Sequence, residues 1–175
     1  RLYSQAILTT SKTIIKDDPK LTIRLNKNKE IHIPIIIIDK NLKIPLDSNI
    51  LKNISKKRVI IFTALKNKKS LHLTKLGCEI IYCKQNINNK LNLKNIFKKI
   101  YSLNISDILV EAGGIFFTEI LKNKLVDEIH LFKSKIIIGQ NGKPAIHGKN
   151  ISKLKLSLQE TKKFRSDTYL NYKVV

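Results

Sequence analysis

Short apolar runs recur along the first two thirds of the chain and predict five strands, at 6–9, 33–38, 59–62, 79–82 and 108–110. Their hydrophobicity is continuous and does not alternate, which is typical of strands that are buried on both faces. Such strands belong to parallel sheets that helices cover on both sides. The pattern therefore indicates an α/β fold.

Two stretches carry apolar residues at the three- and four-residue spacing of a helix. The first, at 93–100, is predicted to cross over the sheet. The second is predicted to begin near Gly114 and to end close to residue 124. Further strands are then predicted at 126–131, 135–138, 154–158 and 169–175.

The order of these elements predicts the architecture. Strands and helices alternate first, and strands follow alone, which favours a mostly parallel sheet with flanking helices and antiparallel C-terminal strands. A length of 175 residues and a hydrophobic content of 42% are sufficient for one buried core, so we expect a single domain over 1–175.

The formal charge of +21, from 34 basic and 13 acidic residues, raises a basic nucleic-acid-binding domain as an alternative. However, the lysines are spread along the chain among Asn and Ile, as codons rich in A and T would produce. Aromatic residues make up only 6%, and Phe97, Tyr101, Phe116 and Phe117 fall inside helical patterns, where core packing explains them. We therefore expect no nucleic-acid partner.

Other features exclude several classes of protein. Cys78 and Cys83 have the spacing of neither a redox pair nor a zinc site, and the four histidines are scattered, so no metal is expected. The longest apolar run contains Pro34 and is far shorter than the roughly 20 residues of a membrane span. Without a recognisable leader sequence, a cytoplasmic protein is expected.

Candidate chemistry begins where the strand at 108–110 ends, at Glu111, Gly113 and Gly114. Backbone N–H groups at the start of a helix bind phosphate well, and a glycine allows close approach. Glu111 lies where ligands bind in open α/β sheets. The structural alternatives are a tight packing turn for the glycines and helix capping for Glu111.

A second candidate segment runs from Thr13 to Arg24. Pro19 pushes Asp18 out of helical geometry, and the two aspartates, Asp17 and Asp18, can accept hydrogen bonds from backbone amides in a turn. We therefore expect a structured loop after the first strand. Arg24 follows it with a guanidinium suited to bidentate phosphate binding.

These segments resemble the reductase domain of the bifunctional riboflavin-biosynthesis deaminase/reductase, a dihydrofolate-reductase-like family. The segment from Thr13 to Arg24 is similar to the family's T-x-x-x-D-D-P-x-L-T-x-R. Val110-Glu-Ala-Gly113, followed by Leu125-Val-Asp-Glu128, is similar to the family's V-E-A-G and L-V-D-E. The resemblance covers nearly the whole chain.

The resemblance implies an NADPH-dependent enzyme that reduces the ribosyl group of 5-amino-6-(5-phosphoribosylamino)uracil to the ribityl form. It implies substrate contacts at Arg1, Leu21, Arg24 and Glu111, with the arginines on the phosphate. Glu111 is the candidate for the one proton that the reaction moves. The implied cofactor contacts are Thr13, Asp17, Gly113, Gly114, Ile115, Phe116, Phe117, Thr118 and Glu119.

The resemblance also bears on the extent of the protein and on its partners. The family carries an additional first strand before the position of Arg1, and a deaminase half, neither of which is present in this sequence. The deaminase is therefore expected either as a separate protein or as part of a longer product from which the reductase has been cut. A homodimer is expected because members of the family are often dimeric. Another dihydrofolate-reductase-like reductase with a different substrate remains an alternative.

Overall fold

A computed structural model describes residues 1–26, 29–52, 54–139, 142–147 and 154–175. Its internal contacts divide the chain into two compact units, Arg1–Gly113 and Gly114–Val175, called unit 1 and unit 2 below. Each unit is described separately. The single domain over 1–175 stays a prediction.

Unit 1 is built on a parallel sheet of five strands, in the order β6-β5-β4-β1-β7. A separate antiparallel hairpin, β2 with β3, lies between β1 and β4 in the sequence. The strands are β1 (Ala6–Thr10), β2 (Ile23–Asn26), β3 (Lys29–Ile31), β4 (Ile35–Ile38), β5 (Val59–Thr63), β6 (Glu79–Tyr82) and β7 (Ile108–Val110).

Strand β1 occupies the position at which the order of strands reverses. From β1 the chain moves through β4 and β5 to β6 at one edge, and β7 then pairs with the other side of β1. The carboxyl ends of parallel strands lie at one edge of a sheet, and ligands of open α/β sheets bind there, beside the reversal. The residues that follow β1 and β7 are therefore placed where a ligand would bind.

Three helices of unit 1 connect these strands: α1 (Ser11–Asp17), α2 (Lys68–Lys75) and α3 (Leu93–Ser102). Polar side chains cap each one at its N-terminus. Thr10 caps α1, Asn67 forms a capping box with Ser70 on α2, and Asn92 caps α3. Each cap satisfies an amide that lacks an intrahelical partner.

The core of unit 1 confirms the prediction of strands that are buried on both faces for the three inner strands, β1, β4 and β5. The edge strands β6 and β7 are half-buried or exposed, because each has a neighbouring strand on one side only. Every residue of β5 is buried, and Ile36 and Ile37 of β4 are fully inaccessible. The main cluster joins these strands to Ile14, Ile44 and Leu73 from the connecting segments. Burial of so many branched apolar side chains provides the main stabilisation of the sheet.

Unit 2 contains one helix and an antiparallel sheet. Helix α4 (Gly114–Lys122) is followed by β8 (Glu128–Lys133), β9 (Leu156–Phe164) and β10 (Asp167–Val174), in the order β8-β10-β9. The antiparallel C-terminal strands predicted from the sequence are confirmed, and they form a sheet of their own.

Some predicted boundaries and elements differ from the structure. The strand predicted at 33–38 begins only at Ile35, because Pro34 has no N–H for the ladder. The strand predicted at 135–138 is wrong: Ile136, Ile137 and Ile138 lie outside any strand and are 73–92% exposed. A β-branched run forms a strand only where a neighbouring strand satisfies its backbone.

We expect Cys78 to make the free energy of unfolding decrease as the pH rises through the alkaline range. Burial raises the pKa of its thiol from 9.0 to about 12. The unfolded chain therefore releases this proton near pH 9, whereas the folded chain retains it. The contribution to stability is complete below about pH 9 and is lost as the pH rises towards about 12.

Urea unfolding at a series of alkaline pH values will test this expectation. Cys78→Ala should remove part of the alkaline decline in the free energy of unfolding. Cys83→Ala is the comparison variant: burial also raises the pKa of this half-buried thiol, so the effect should have the same direction and be smaller. An alkaline decline of equal size in the Cys78→Ala variant would contradict the assignment.

Candidate active site

The carboxyl ends of β1 and β7 are joined by hydrogen bonds around Glu111, the first residue after β7. The Glu111 amide donates to Leu8 O at 2.9 Å. Its carbonyl accepts from Thr9 Oγ1 at 2.8 Å. The backbone of Glu111 is therefore fixed on both sides, at the edge of the sheet where ligands of this fold class bind.

The side chain of Glu111 forms an ion pair with Arg1. Arg1 Nε donates to Oε1 at 2.5 Å, and Nη2 donates to Oε2 at 2.6 Å. This hydrogen bonding raises the pKa of the Arg1 guanidinium. The sequence analysis grouped Arg1 with Arg24 as a phosphate ligand, whereas in the structure Arg1 contacts the candidate catalytic carboxylate.

The segment from Leu21 to Arg24 lies beside this ion pair. Arg1 Nη1 donates to Thr22 O at 2.8 Å, and Arg1, Thr22, Ile23 and Arg24 line an open depression. Leu21 is buried with a φ of 51°, in the left-handed region, which is uncommon for a leucine. The Thr22 hydroxyl is buried and has no hydrogen-bond partner among the described residues, which is unusual for a packing residue.

Arg24 differs from Arg1 in its surroundings. Its side chain is 69% exposed, and its Nε lies 3.9 Å from Glu30 Oε1, at the outer limit of an ion pair. The guanidinium can therefore meet an anionic group from solvent with little loss of existing contacts. The structure thus brings three of the predicted substrate residues, Arg1, Arg24 and Glu111, into one neighbourhood of unit 1.

Helix α1 carries two of the predicted cofactor residues. Thr13 is half-buried, and its amide donates to the capping Thr10 Oγ1 at 3.4 Å. Asp17 is the exposed last residue of the helix. The segment predicted to be a structured loop is therefore helical over its first half.

Asp18, directly after α1, is held by Asn49. Its backbone has a φ of 36°, and its carboxylate accepts from Asn49 N at 2.7 Å and from Asn49 Nδ2 at 2.8 Å. Asn49 Nδ2 also donates to Asp18 O at 3.0 Å. The two aspartates of the motif thus differ: Asp18 fixes the loop, and Asp17 remains exposed.

The predicted cofactor residues from Gly114 to Glu119 lie in unit 2, at the start of α4. Ile115 is exposed, and Phe116, Phe117 and Glu119 are half-buried. Thr118 is buried: it donates its hydroxyl proton to Gly114 O at 2.7 Å and accepts from His147 N at 2.8 Å. The hydroxyl of Thr118 therefore has no proton left to donate to a ligand.

The two adjacent glycines have different surroundings. A Cβ added to Gly114 would lie 2.6 Å from Pro144 O and 2.7 Å from Ala145 O, so the segment at 144–147 packs directly against this residue. A Cβ added to Gly113 would meet nothing within 4 Å. The packing alternative thus describes Gly114, and the backbone at Gly113 is open to a ligand.

The described residues also bear on metal binding and on membrane-spanning helices. Among the residues that the structure describes, no group of three or more His, Cys, Asp or Glu side chains could hold a metal ion. Within the same residues, no helix is both long and apolar enough to cross a membrane.

Comparison with known proteins identifies the family to which the chain belongs. A model described as the RibD C-terminal domain matches residues 1–170, nearly the entire chain. The chain belongs to the RibD C-terminal domain family. This membership favours the predicted reductase over the nucleic-acid-binding alternative.

Relatives of this RibD-family chain agree with that result. The riboflavin biosynthesis protein RibD of Aquifex aeolicus is 34% identical over 140 residues, which cover 80% of this chain and 37% of that protein. A protein named 5-amino-6-(5-phosphoribosylamino)uracil reductase, from Buchnera aphidicola subsp. Acyrthosiphon pisum, is 28% identical over 155 residues, covering 82% of this chain and 72% of the relative. The chain thus spans less than half of the RibD relative.

A solved structure supports the predicted fold. RibD of Acinetobacter baumannii superimposes with a TM-score of 0.83 at 22% identity, covering all of this chain and 48% of that one. The predicted dihydrofolate-reductase-like α/β fold is confirmed. The similarity applies to the fold.

Sequence reasoning did not identify three residues that shape these segments. Asn49, Thr22 and His147 lie outside the quoted cofactor and substrate positions, yet each contacts or flanks one of them. Thr22 lies inside the L-T-x-R motif, and its position between Leu21 and Arg24 could have predicted a place at the site. Asn49 contacts Asp18 and His147 contacts Thr118, over separations of 31 and 29 residues, so no local sequence pattern could predict these contacts.

We expect Gly114→Ala to destabilise the protein by about 1–3 kcal/mol, because the new methyl group would meet two backbone carbonyls. The matched variant Gly113→Ala should be neutral or stabilise by up to about 1 kcal/mol, since the added group meets open space. Urea unfolding of both variants measures the difference. Equal midpoints for the two variants would show that 144–147 does not restrict Gly114.

Proposed function

We propose that this chain catalyses the NADPH-dependent reduction of the ribosyl group of 5-amino-6-(5-phosphoribosylamino)uracil to the ribityl form, in riboflavin biosynthesis. The observation that carries the proposal is the position of Glu111 at the ligand-binding edge of the sheet, in contact with Arg1, which lines a depression together with Arg24. The chain belongs to the RibD C-terminal domain family. A carboxylate for the sugar and a guanidinium for the phosphate match the two ends of this substrate.

The residues present fit a nicotinamide cofactor at Gly113 and at the start of α4. The backbone at Gly113 is open, and the first amides of a nine-residue helix lack intrahelical partners. Such amides bind phosphate groups. When bound, the cofactor supplies the hydride. Thr13 and Asp17 are proposed as further contacts from the family motif.

The reaction sets the tasks of the protein residues. The ribose ring opens to an imine as the C1–O bond breaks, and the released oxygen gains one proton. Glu111 is proposed to accept this proton from the amine nitrogen and to return it to the oxygen, because a carboxylate at the sugar can do both. Addition of a hydride at C1 then leaves the nitrogen to take a proton from solvent. The remaining task is to orient two ligands, which we assign to the Leu21–Arg24 segment and the start of α4.

We expect NADPH to bind saturably and at least about tenfold more tightly than NADH, a difference of about 1.4 kcal/mol. The extra phosphate of NADPH provides the difference. Calorimetric titration should be carried out at raised salt, because a chain with a formal charge of +21 attracts any phosphate at low ionic strength. Equal affinity for the two nucleotides would contradict the NADPH assignment.

We also propose that the chain pairs with a second copy of itself through unit 2. One face of the sheet of unit 2 carries leucines that are 42–53% exposed, namely Leu131, Leu156 and Leu158. Apolar side chains exposed together mark association surfaces. Because two copies of so basic a chain repel each other, apolar contact has to provide the attraction.

Sedimentation equilibrium should therefore show a dimer that raised salt strengthens. Leu158→Glu should shift the protein towards the monomer, because a charge would enter the apolar contact. The control is Leu71→Glu, at a similarly exposed leucine on α2, which should leave the dimer intact. A wild-type protein that remains monomeric at raised salt would contradict the pairing.

Two expectations complete the proposal. A deaminase is expected to act on the pyrimidine before this reduction. The cytoplasm is the expected compartment, where the reduced nicotinamide cofactor is available.

A further inference from the structure

The connection from α1 to β2 contains two residues with a left-handed backbone. Asp18 has a φ of 36° and Leu21 has a φ of 51°. A leucine adopts this region only at an energetic cost, and such residues persist where the surrounding structure holds them in place. The same connection carries Leu21 as a proposed substrate contact. The contacts that hold it therefore affect the site as well as the fold.

Asn49 holds the start of this connection. Its backbone N–H and its side-chain Nδ2 donate to the two carboxylate oxygens of Asp18, at 2.7 and 2.8 Å. The side-chain Nδ2 also donates to Asp18 O at 3.0 Å. Because the carboxylate and the backbone carbonyl of Asp18 are both held, the direction in which the chain leaves α1 is fixed.

Asn49 is itself fixed in position. Its carbonyl accepts from Lys57 Nζ at 3.2 Å, and its side-chain Oδ1 accepts from Lys52 Nζ at 3.1 Å. The next residue, Ile50, is fully buried and belongs to the same core cluster as Leu21. Every polar group of Asn49 therefore has a partner, and its backbone is anchored in the core of unit 1.

The position of Asp18 is transmitted along the chain to the site. Pro19 has a fixed φ, so it passes a change at Asp18 on to the residues that follow. Thr22 O accepts from Arg1 Nη1 at 2.8 Å, and Arg1 is paired with the carboxylate of Glu111. A connection released at Asp18 would relax at its left-handed leucine and move the Thr22 carbonyl away from that ion pair.

We propose that Asn49 is a positioning residue for the substrate segment Leu21–Arg24. It holds Asp18, and through Asp18 it keeps the connection in the strained conformation that substrate binding requires. In this assignment Asn49 touches neither the substrate nor the reacting atoms, and it acts through the chain that follows Asp18. The inference rests on the proposed function, because it concerns the binding of that substrate.

The first test is Asn49→Ala, which removes both side-chain bonds to Asp18. The KM for 5-amino-6-(5-phosphoribosylamino)uracil should rise about tenfold, or about 1.4 kcal/mol, because a released segment has to be ordered again on binding. The value of kcat should fall less than about threefold, since Glu111 keeps its own backbone bonds. The Kd for NADPH, from calorimetry at raised salt, should change less than about twofold, because α1 keeps its N-terminal cap.

A reciprocal exchange tests the contact itself. Asn49→Asp should raise KM more than Asn49→Ala does, because two carboxylates would face each other at hydrogen-bonding distance. Adding Asp18→Asn removes the repulsion and lets an amide at position 18 donate to the carboxylate at position 49. The KM of the double variant should be at least about threefold lower than that of Asn49→Asp alone, a coupling that independent effects on the fold would not produce.

The chain offers a matched control for loss of an asparagine side chain. Asn67 caps α2, where its Oδ1 accepts from Ser70 N at 3.0 Å. Asn67→Ala should lower the urea midpoint of unfolding, as the loss of a cap does, and leave KM and kcat unchanged. Asn49→Ala should lower the midpoint as well, but it should also raise KM. A rise in KM of equal size in both variants would show a general effect on stability and overturn the inference.

The outcomes distinguish this inference from the proposed function. If the unaltered chain reduces the substrate and Asn49→Ala leaves KM unchanged, the inference alone is overturned. The same conclusion follows if the double variant recovers nothing relative to Asn49→Asp. If the unaltered chain neither binds nor reduces the substrate, the proposed function is overturned and the inference with it.

Discussion

The parallel pairing of β1 with strands on both of its sides is the constraint on which the candidate site depends. Ile7 and Leu8 are fully buried and are paired with β4 on one side and with β7 on the other. The register of β7 on β1 brings Glu111 beside Thr9. A shift of one residue would turn the carboxylate to the other face of the sheet and remove it from Arg1.

This constraint also explains why residues distant in the sequence act together. Arg1 and Glu111 are 110 positions apart, yet both lie next to the same central strand. The strand provides a rigid base, and the loops at its carboxyl end provide the chemistry. Rigid elements that carry functional groups on adjoining loops are the usual arrangement in α/β proteins.

The sequence predicted the elements with strong patterns and missed those whose patterns are weak. Strands such as β5 are apolar at every position, so their burial could be read directly. Helix α2 was missed because Ser70 and Leu73 are its only buried residues, although the Asn67 cap and Ser70 were available signals. The isoleucines at 136–138 predicted a strand because isoleucine has a high β-propensity. A strand also needs a neighbouring strand to pair with, and that depends on the fold and not on local composition.

The candidate site shows the same division. The motifs supplied Glu111, Arg24 and the glycines, because these residues lie in short segments with fixed spacing. The partner of Arg1 could not be predicted, since an ion pair across the sheet depends on the register of β7. The resemblance selected Asp17 as a cofactor contact, but the sequence could not assign Asp18 its contact with Asn49, which lies in a different loop.

The crowding around Gly114 has a consequence for the evolution of this chain. Glycine codons are rich in G and C, so a drift towards A and T, of the kind that the lysines and asparagines indicate, removes glycine wherever another residue is tolerated. Only 6 glycines remain in 175 residues. Two of the retained glycines are Gly114, where two carbonyl oxygens leave no room for a Cβ, and Gly77, which has a φ of 105°. In such a genome, the retention of these two glycines records a steric requirement at each position.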